Sequence, residues 1–526
     1  VYMTFEIVFV LLSLLGMMAA LIADKMRPGM VLFSVVVLFL CAGILTPKEM
    51  LEGFSNKGMI TVALLFLVSE GIRQSGTLGQ VIKKLLPQGK TTVFKAQLRI
   101  LPSVAFISAF LNNTPVVVIF APIIKHWAKS VKLPATKFLI PLSYVTILGG
   151  ICTLIGTSTN LVVHGMILEA GYEGFTMFEL GKVGIFIAIA GIIYLFIFSK
   201  RLLPDARPDT AVPDEEVEEG EKLHRVEAVL GARFPGINKK LSDFNFQRHY
   251  GAEVKEIKTR NGQRYVNHLE DVVLREGDTL VVMADDTFIP TWGESSVFVL
   301  LTNGNDPDTS GKKKRWLALI LLVLMIVGAT VGELPATKEM FPDIKLDMFF
   351  FVCITTIIMA WTNIFPARKY TKYISWDILI TIACAFAISK AMVNSGVADC
   401  VAGFIIGLSD DYGPHVLLAI LFVITNLFTE LITNNAAAAL AFPLALSISA
   451  QLGVSPTPFF VVICMAASAS FSTPIGYQTN LIVQGIGNYK FTDFVRIGLP
   501  LNIITFLISV IPVSYTHLTL PTSDLV

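Results

Sequence analysis

FLNNTPVVVIFAP (Phe110–Pro122) and LITNNAAAALAFP (Leu431–Pro443) each place side-chain amides in the middle of an apolar segment. An amide in an apolar environment is costly unless another group satisfies its hydrogen bonds. The two stretches align at an offset of 321 residues, with Pro122 on Pro443. A chain that repeats such a costly feature is typical of a duplicated domain with a polar site in each copy.

The composition predicts a membrane protein. Of 526 residues, 54% are hydrophobic and 15% are charged, and the mean hydropathy is +0.67, whereas soluble proteins carry about 25% charged residues. Nearly uncharged runs at Ile7–Ala23, Gly29–Leu45 and Trp316–Val331 predict membrane helices. The net charge of +1 gives no indication of nucleic-acid binding. Six scattered cysteines without a CxxC pair indicate reduced packing residues and no transition-metal site.

A charged segment divides the chain. Residues 201–315 hold 17 of the 41 Lys and Arg residues and 21 of the 40 Asp and Glu residues. We predict a soluble α/β domain there, with strands at 225–230, 253–258, 264–266 and 279–283, a hairpin turn at 260–262, and a short helix near 238–246. The predicted order is membrane repeat 1 (1–200), acidic linker (201–222), soluble domain (223–295), linker (296–315), membrane repeat 2 (316–513) and a polar tail (514–526). The tail matches nothing in the repeats and is interpreted as an artificial extension.

Further matches support the duplication. LVSEGIRQSG (67–76) aligns with AISKAMVNSG (387–396), and TLIGTSTNLVVHG (153–165) aligns with TPIGYQTNLIVQG (473–485), both at an offset of 320 residues. Short basic loops mark the cytoplasmic side, and their distribution places the N-terminus outside and the soluble insert in the cytoplasm. The predicted fold is an all-α polytopic membrane protein of two inverted repeats with a small cytoplasmic α/β insert.

Each predicted repeat contains a re-entrant helical hairpin, at about 97–124 and 414–447, and a helix broken by glycines, at about 136–170 and 456–487. Broken helices in corresponding positions of inverted halves indicate a transporter binding site, because free helix N-termini suit anions and free carbonyls suit cations. For a single Asn or Gly, helix packing is the simpler interpretation. Glu430 is the most conspicuous intramembrane charge, either a proton or cation ligand or a structural partner. Glu70 and Lys390 lie near span ends and are interpreted as interfacial.

These motifs resemble those of the divalent anion/sodium symporter family, within the ion transporter superfamily. The resemblance covers the membrane part and is carried by NNTPVVVIFAP, GTSTNLVV, TNNAAAALAFP and GYQTNLIV. It implies a homodimeric, multi-pass protein of the inner or plasma membrane that transports a small dianion with Na+ by elevator-type alternating access. It implies neither an enzyme nor a cofactor other than the coupling ion.

The resemblance also implies particular site residues. Sodium would be bound by Ser108, Asn112, Asn113 and Gly156 in one half and by Thr429, Ile432 (through its backbone), Asn434 and Gly476 in the other. The anion would lie between them, near Asn113, Thr114, Thr157, Asn434, Asn435, Tyr477 and Gln478.

Two departures from the family pattern bear on the substrate. Ser158-Thr159 and Gln478-Thr479 stand where the dicarboxylate branch has Pro-Pro, and the second tip reads Thr-Asn-Asn. The additional hydroxyls and amides favour a tetrahedral oxyanion and resemble the sulfate-transporting branch. A dicarboxylate symporter, an H+-coupled carrier using Glu430 and a gated ion channel are the alternatives.

The insert resembles a TrkA-C (RCK C-terminal) domain that starts near residue 223. GINKKLSDFNFQRHYGAEVKEIKTRNG and LREGDTLVVMAD carry the match. Such domains are regulatory, dimerise and in some relatives bind a small nucleotide. A passive role in assembly is the alternative.

Overall fold

The computed structural model describes most of the chain, in the ranges 5–23, 25–87, 89–205, 224–231, 233–259, 263–285, 288, 292, 297–302, 312–407 and 414–517. The predicted turn at 260–262, most of the predicted acidic linker and the last part of the predicted tail lie outside the described residues.

The first half of the membrane part is helical. Its described helices are α1 (Phe5–Ala23), α2 (Pro28–Cys41), α3 (Pro47–Glu52), α4 (Lys57–Gln74), α5 (Thr77–Leu85), α6 (Val93–Ser108), α7 (Asn113–Ser130), α8 (Leu139–Gly150), α9 (Ser158–Glu169) and α10 (Gly181–Leu202). Side-chain caps fix several starts; Thr92, for example, accepts a hydrogen bond from the backbone N–H of Lys95 at the start of α6.

The second half of the membrane part, after the insert, is also helical. Following α11 (Phe246–Tyr250) within the insert, its described helices are α12 (Lys312–Gly332), α13 (Pro335–Met340), α14 (Met348–Trp361), α15 (Tyr370–Tyr373), α16 (Trp376–Asn394), α17 (Val397–Gly407), α18 (Pro414–Leu431), α19 (Asn434–Leu452), α20 (Thr457–Ser468), α21 (Gln478–Gly487) and α22 (Phe491–His517). Each half contains two pairs of consecutive helices separated by a short interruption, α6–α7 and α8–α9 in the first half and α18–α19 and α20–α21 in the second. They lie where the sequence predicts a hairpin and a broken helix.

Seven helical segments in the described part of the chain are long and apolar enough to cross a membrane. They include α1, α10, α12 and α16, while shorter apolar helices such as α8 and α20 are 12 residues each, below the about 20 residues that one span requires. The chain is therefore a multi-pass membrane protein, as predicted.

The membrane helices form two packed groups. The hairpin group consists of α6–α10 and α18–α22, in which α6 packs on α8, α7 on α21, and α10 on α22. The flanking group consists of α1, α2, α4, α12, α14 and α16, in which α2 packs on α16 and α4 on α14. The groups meet where α16 packs on α19 and α4 on α9.

The insert is a five-stranded antiparallel sheet in the order β3-β2-β4-β1-β5. Its strands are β1 (His224–Leu230), β2 (Glu253–Lys258), β3 (Arg264–Tyr265), β4 (Thr279–Ala284) and β5 (Phe298–Thr302). Alternate residues of β1 and β4 face the domain's own core, among them Val226, Ala228, Leu280 and Val282.

Two sequence predictions for the insert are wrong. The short helix starts at Phe246 instead of near residue 238, because Asn245 caps it by accepting a hydrogen bond from the backbone N–H of Arg248 at 2.9 Å. The predicted linker at 296–315 contains β5, which pairs with β1 about seventy residues earlier. A local pattern does not reveal such a long-range pairing, so the domain extends beyond the predicted boundary.

Candidate functional site

The first hairpin tip lies between α6 and α7. Pro115 stands in the first turn of α7, where a missing N–H leaves no hydrogen bond unmade, so the chain restarts its helix directly after the turn. The hydroxyl of Ser108, the last residue of α6, donates to the Asn113 side-chain carbonyl oxygen over 2.8 Å. Both side chains are fully buried.

The second tip, between α18 and α19, has the same arrangement. The Thr429 hydroxyl lies 2.7 Å from the Asn434 side-chain carbonyl oxygen and 2.6 Å from the backbone oxygen of Ala467. Thr433 caps α19 through the backbone N–H of Ala436. Thr429 and Asn434 follow Ser108 and Asn113 at the offset of 321, so each repeat has one buried hydroxyl–amide pair.

The two helix breaks are also built alike. In the first break, the Asn160 amide donates to the backbone oxygen of Thr153 (2.9 Å), and the Thr153 hydroxyl accepts from the Gly156 N–H (3.1 Å). In the second, Asn480 donates to Thr473 (3.2 Å), whose hydroxyl accepts from the Gly476 N–H (3.3 Å). Backbone groups released by the broken helix are thus satisfied within the break.

Glycine is required at the centre of both breaks because other atoms fill the space of a side chain. A Cβ atom on Gly156 would lie 2.5 Å from the backbone oxygen of Gly150. A Cβ atom on Gly476 would lie 2.7 Å from the backbone oxygen of Thr429 and even closer to the Ser470 hydroxyl. A Cβ atom on Gly150 would lie 2.7 Å from the Asn113 side-chain oxygen, so both breaks pack directly against the elements that carry the hydroxyl–amide pairs.

Tyr477 joins the two repeats at the centre of the group. Its hydroxyl accepts a hydrogen bond from the Asn113 amide over 2.6 Å, lies 3.1 Å from the Thr157 hydroxyl and interacts with the Asn434 side chain. Asn113 and Asn434 therefore meet through one phenol. These four side chains are uncharged hydroxyls and amides.

The remaining residues predicted to bind the anion surround this centre. The Thr114 hydroxyl lies 3.4 Å from the Gln478 side-chain oxygen. The Asn435 side-chain oxygen accepts from Ser158 at 3.3 Å and from Thr159 at 3.2 Å. Every contact crosses from one repeat to the other, so the structure brings all seven predicted anion residues into one region.

Two residues predicted to bind sodium stand slightly apart. Asn112 precedes α7 and lines a small cavity together with Ser158 and Phe110. Ile432 is buried directly after α18, where its N–H bonds to the Phe428 carbonyl. Neither side chain joins the contacts around Tyr477 described above.

Glu430 ties the second break to the hairpin arm. Its carboxylate accepts hydrogen bonds from the backbone N–H groups of Ser472 and Thr473, each at 2.9 Å, and from the Asn502 amide at 2.8 Å. These donors satisfy an ionised carboxylate, which favours the structural role among the alternatives left open by the sequence. Ala109 stands at the equivalent position in the first repeat.

Two further buried residues that the sequence did not single out support the site. The Ser143 hydroxyl of α8 donates to the Asn480 side-chain oxygen over 2.7 Å, and the Tyr144 hydroxyl donates to the Phe471 carbonyl over 2.6 Å. The signal for these two residues in the sequence was a hydroxyl group in a mainly apolar helix. The internal alignment added nothing, because Ile463 and Cys464 occupy the aligned positions in the second half.

Comparison with known proteins identifies the family of the chain. The citrate transporter family (CitMHS) matches residues 18–453 and 340–522. The chain belongs to the citrate transporter family. This agrees with the coarser part of the predicted resemblance, an ion transporter of the divalent anion symporter type, and the family model describes transporters.

The individual relatives have low sequence identity to this chain. An uncharacterized transporter of Synechocystis is 29% identical over 89% of this chain and 90% of its own length. A probable sodium/sulfate cotransporter 3 of Chlamydomonas reinhardtii is 22% identical over 91% of this chain and 85% of its own length. The sodium-dependent dicarboxylate transporter SdcS of Staphylococcus saprophyticus is 25% identical over 28% of each chain.

Proposed function

We propose that the protein is a secondary active transporter that moves a divalent oxyanion, sulfate, together with Na+. The observation that carries the proposal is the pair of buried hydroxyl–amide contacts, Ser108–Asn113 and Thr429–Asn434, that meet at Tyr477. Hydroxyl and amide oxygens suit a hard cation such as Na+, and amide and hydroxyl hydrogens suit the oxygens of an anion.

Coupling follows from shared ligands. Cooperative transport requires that bound cation and bound anion change each other's affinity. Asn113 and Asn434 each direct the side-chain oxygen to a hydroxyl of their own repeat and contact the central Tyr477 hydroxyl. In the proposed mechanism, Na+ on the oxygen side fixes the amide plane, and the amide N–H groups then bind the anion.

Alternating access of the elevator type is part of the proposal. The hairpin group contains the residues around Tyr477, whereas the flanking group contacts it through α4 and α16. Movement of the hairpin group against the flanking group would carry the site across the membrane. The inverted orientation of the repeats, the homodimer, the cytoplasmic location of the insert, its TrkA-C character and its nucleotide ligand remain predictions.

A dicarboxylate is the second candidate substrate. The dicarboxylate transporter among the relatives favours it, and the family name points to a carboxylate substrate, the tricarboxylate citrate. In contrast, Ser158, Thr159 and Gln478 add donors and acceptors in place of the prolines of the dicarboxylate branch. H+ coupling through Glu430 is less favoured, because its carboxylate already accepts from three N–H donors.

The test is uptake of labelled sulfate by proteoliposomes with an inward Na+ gradient, an inward H+ gradient or neither, with unlabelled succinate as competitor. We expect uptake only with Na+, unaffected by succinate. Full inhibition by succinate would assign a dicarboxylate, and uptake driven by H+ alone would refute sodium coupling.

Two variants test the shared ligands. Asn113→Ala and Asn434→Ala should each weaken the sodium dependence of uptake, since each removes an oxygen at one hydroxyl–amide pair. Asn267→Ala makes the same change at an exposed side chain in the insert and should behave as wild type. Unchanged sodium dependence in both site variants would refute the coupling mechanism.

A further inference from the structure

The insert packs one face of its sheet against the hairpin group. Glu227, on the face of β1 opposite the domain core, lies 3.1 and 3.2 Å from the Lys125 ammonium of α7. Lys258 of β2 lies 3.4 Å from the same carboxylate. The neighbouring Val229 is 1% exposed and belongs to the hydrophobic core of the membrane helices.

The same face contacts α21, which begins at Gln478 in the candidate site. A Cβ atom on Gly485 of α21 would lie 3.7 Å from the Cβ atom of Thr279 in β4. One turn earlier, Leu481 lies 3.6 Å from the Cβ position of Gly277. The sheet therefore contacts both an arm of the first hairpin and the second half of a broken helix.

The insert also contacts the flanking group. The Arg233 guanidinium donates to the backbone oxygen of Ile374 over 3.3 Å and interacts electrostatically with Asp377 in the first turn of α16. One small domain thus joins both helix groups at once, by its sheet on one side and by Arg233 on the other.

The two attachments differ in strength. Burial opposes the charge of Glu227, but Lys125 and Lys258 outweigh it and lower the pKa of this carboxyl to about 2. The carboxylate is therefore charged throughout the cytoplasmic pH range and holds two ammonium groups, in addition to the apolar contacts of Val229 and Leu481. The attachment at Arg233 is a long hydrogen bond to an uncharged backbone oxygen, supported by a charge interaction with Asp377, so it is the weaker of the two.

We propose that the inserted domain is an intramolecular latch, which binds α7 and α21 through its sheet and the start of α16 through Arg233, and so restrains movement of the hairpin group against the flanking group. The inference rests on the proposed alternating-access cycle. In that cycle the insert stays on the hairpin group and the Arg233 contact breaks and re-forms.

A latch with two attachments in series makes a specific prediction for mutants. Loss of either attachment removes the whole restraint, so the second loss has no further effect. Arg233→Ala and Glu227→Gln should each raise the initial rate of anion uptake, by about threefold, and the double variant should be no faster than the faster single variant. Glu253→Gln is the matched control, because it makes the same change in an exposed ion pair with Lys255.

A designed disulfide tests the sheet attachment without any substrate. The Cβ separation of 3.7 Å between positions 279 and 485 suits a disulfide, which needs about 3.5–4.5 Å. Thr279→Cys with Gly485→Cys should cross-link in isolated membranes, and added E227Q should slow cross-linking by about tenfold. Added R233A should leave the rate of cross-linking unchanged.

The cross-link also tests the series arrangement. It should return the uptake rate of E227Q to that of the unmodified protein, with reversal by dithiothreitol, and it should leave R233A fast. Uptake by the unmodified protein reports on the proposed function, whereas the ratios between variants report on the latch. Unchanged or lower rates in both single variants, a double variant near ninefold, or cross-linking of E227Q at the wild-type rate would each overturn the inference.

Discussion

Glu430→Gln is expected to loosen the second helix break and with it the neighbouring hydroxyl–amide pair. The carboxylate accepts from two backbone N–H groups and from Asn502. Glutamine retains one acceptor oxygen and turns an NH2 group toward donors, so at least one backbone N–H loses its partner. A buried donor without a partner costs about 1–3 kcal/mol, and each hydrogen bond to a charged group contributes about 1.5–3 kcal/mol.

The loss should therefore total about 2.5–6 kcal/mol, shared between the stability of the fold and the geometry of the second site. Thr429 precedes Glu430 in the chain, and Gly476 lies three residues beyond Thr473, so the distortion reaches two of the predicted sodium ligands. If about 2 kcal/mol appears in cation binding, the Na+ concentration for half-maximal uptake rises about 30-fold.

The assays are the sodium dependence of uptake and thermal unfolding of the purified protein followed by fluorescence. Glu253→Gln is the matched control. Glu253 forms an exposed pair with Lys255 at 2.7 Å in the insert, and such pairs contribute about 0–1 kcal/mol. Wild-type sodium dependence and unfolding temperature in E430Q would refute the proposed role of Glu430 in holding the second break. Selective loss of a proton-driven component of uptake would assign Glu430 as a proton carrier.

Three further predictions follow from single contacts. Tyr477→Phe should raise the KM for the anion about tenfold, because the hydroxyl that links the two repeats is lost; an unchanged KM in uptake assays would contradict the assignment. Gly149→Ala should destabilise the protein by about 1–3 kcal/mol, since its Cβ would overlap the backbone of Ala105, whereas Gly16→Ala, with open space around it, should unfold at the wild-type temperature. The pKa of Glu227 falls from 4.5 to about 2 in the folded protein. The stability that its charge contributes is therefore present above about pH 4.5 and is lost as the pH falls toward 2. The unfolding temperatures of wild type and E227Q should differ above pH 4.5 and converge as the pH falls below it.

The positions of the interrupted helices could be predicted from sequence because each interruption has a local chemical signal. The motifs Asn-Asn-Thr-Pro and Thr-Asn-Asn place polar side chains, and in the first case a proline, inside apolar segments. The turns between α6 and α7 and between α18 and α19 lie at these residues. The alignment of the two segments strengthened the signal, since Ser108 and Thr429 stand at aligned positions and each contacts the side-chain oxygen of an asparagine.

Contacts between distant segments could not be predicted in this way. The donors to Glu430 lie 42, 43 and 72 residues away, so the sequence left its role open. Strand β5 has an apolar pattern of only five residues, and its partner β1 lies far earlier in the chain. The attachment of the insert to α7 and α21 depends on one face of its sheet. In the sequence, the charged residues of that face are typical of a solvent-exposed surface.

The difference between Glu430 and Ala109 has a consequence for kinetics. Both breaks are secured by an equivalent asparagine and threonine, but among the residues that the structure describes only the second break has a carboxylate that fastens it to its hairpin arm. The first break should therefore fluctuate open more often, exchange its amide hydrogens sooner and admit its ion earlier. Filling of the two halves would then be ordered in time, with the first half loading ahead of the second and the second releasing last.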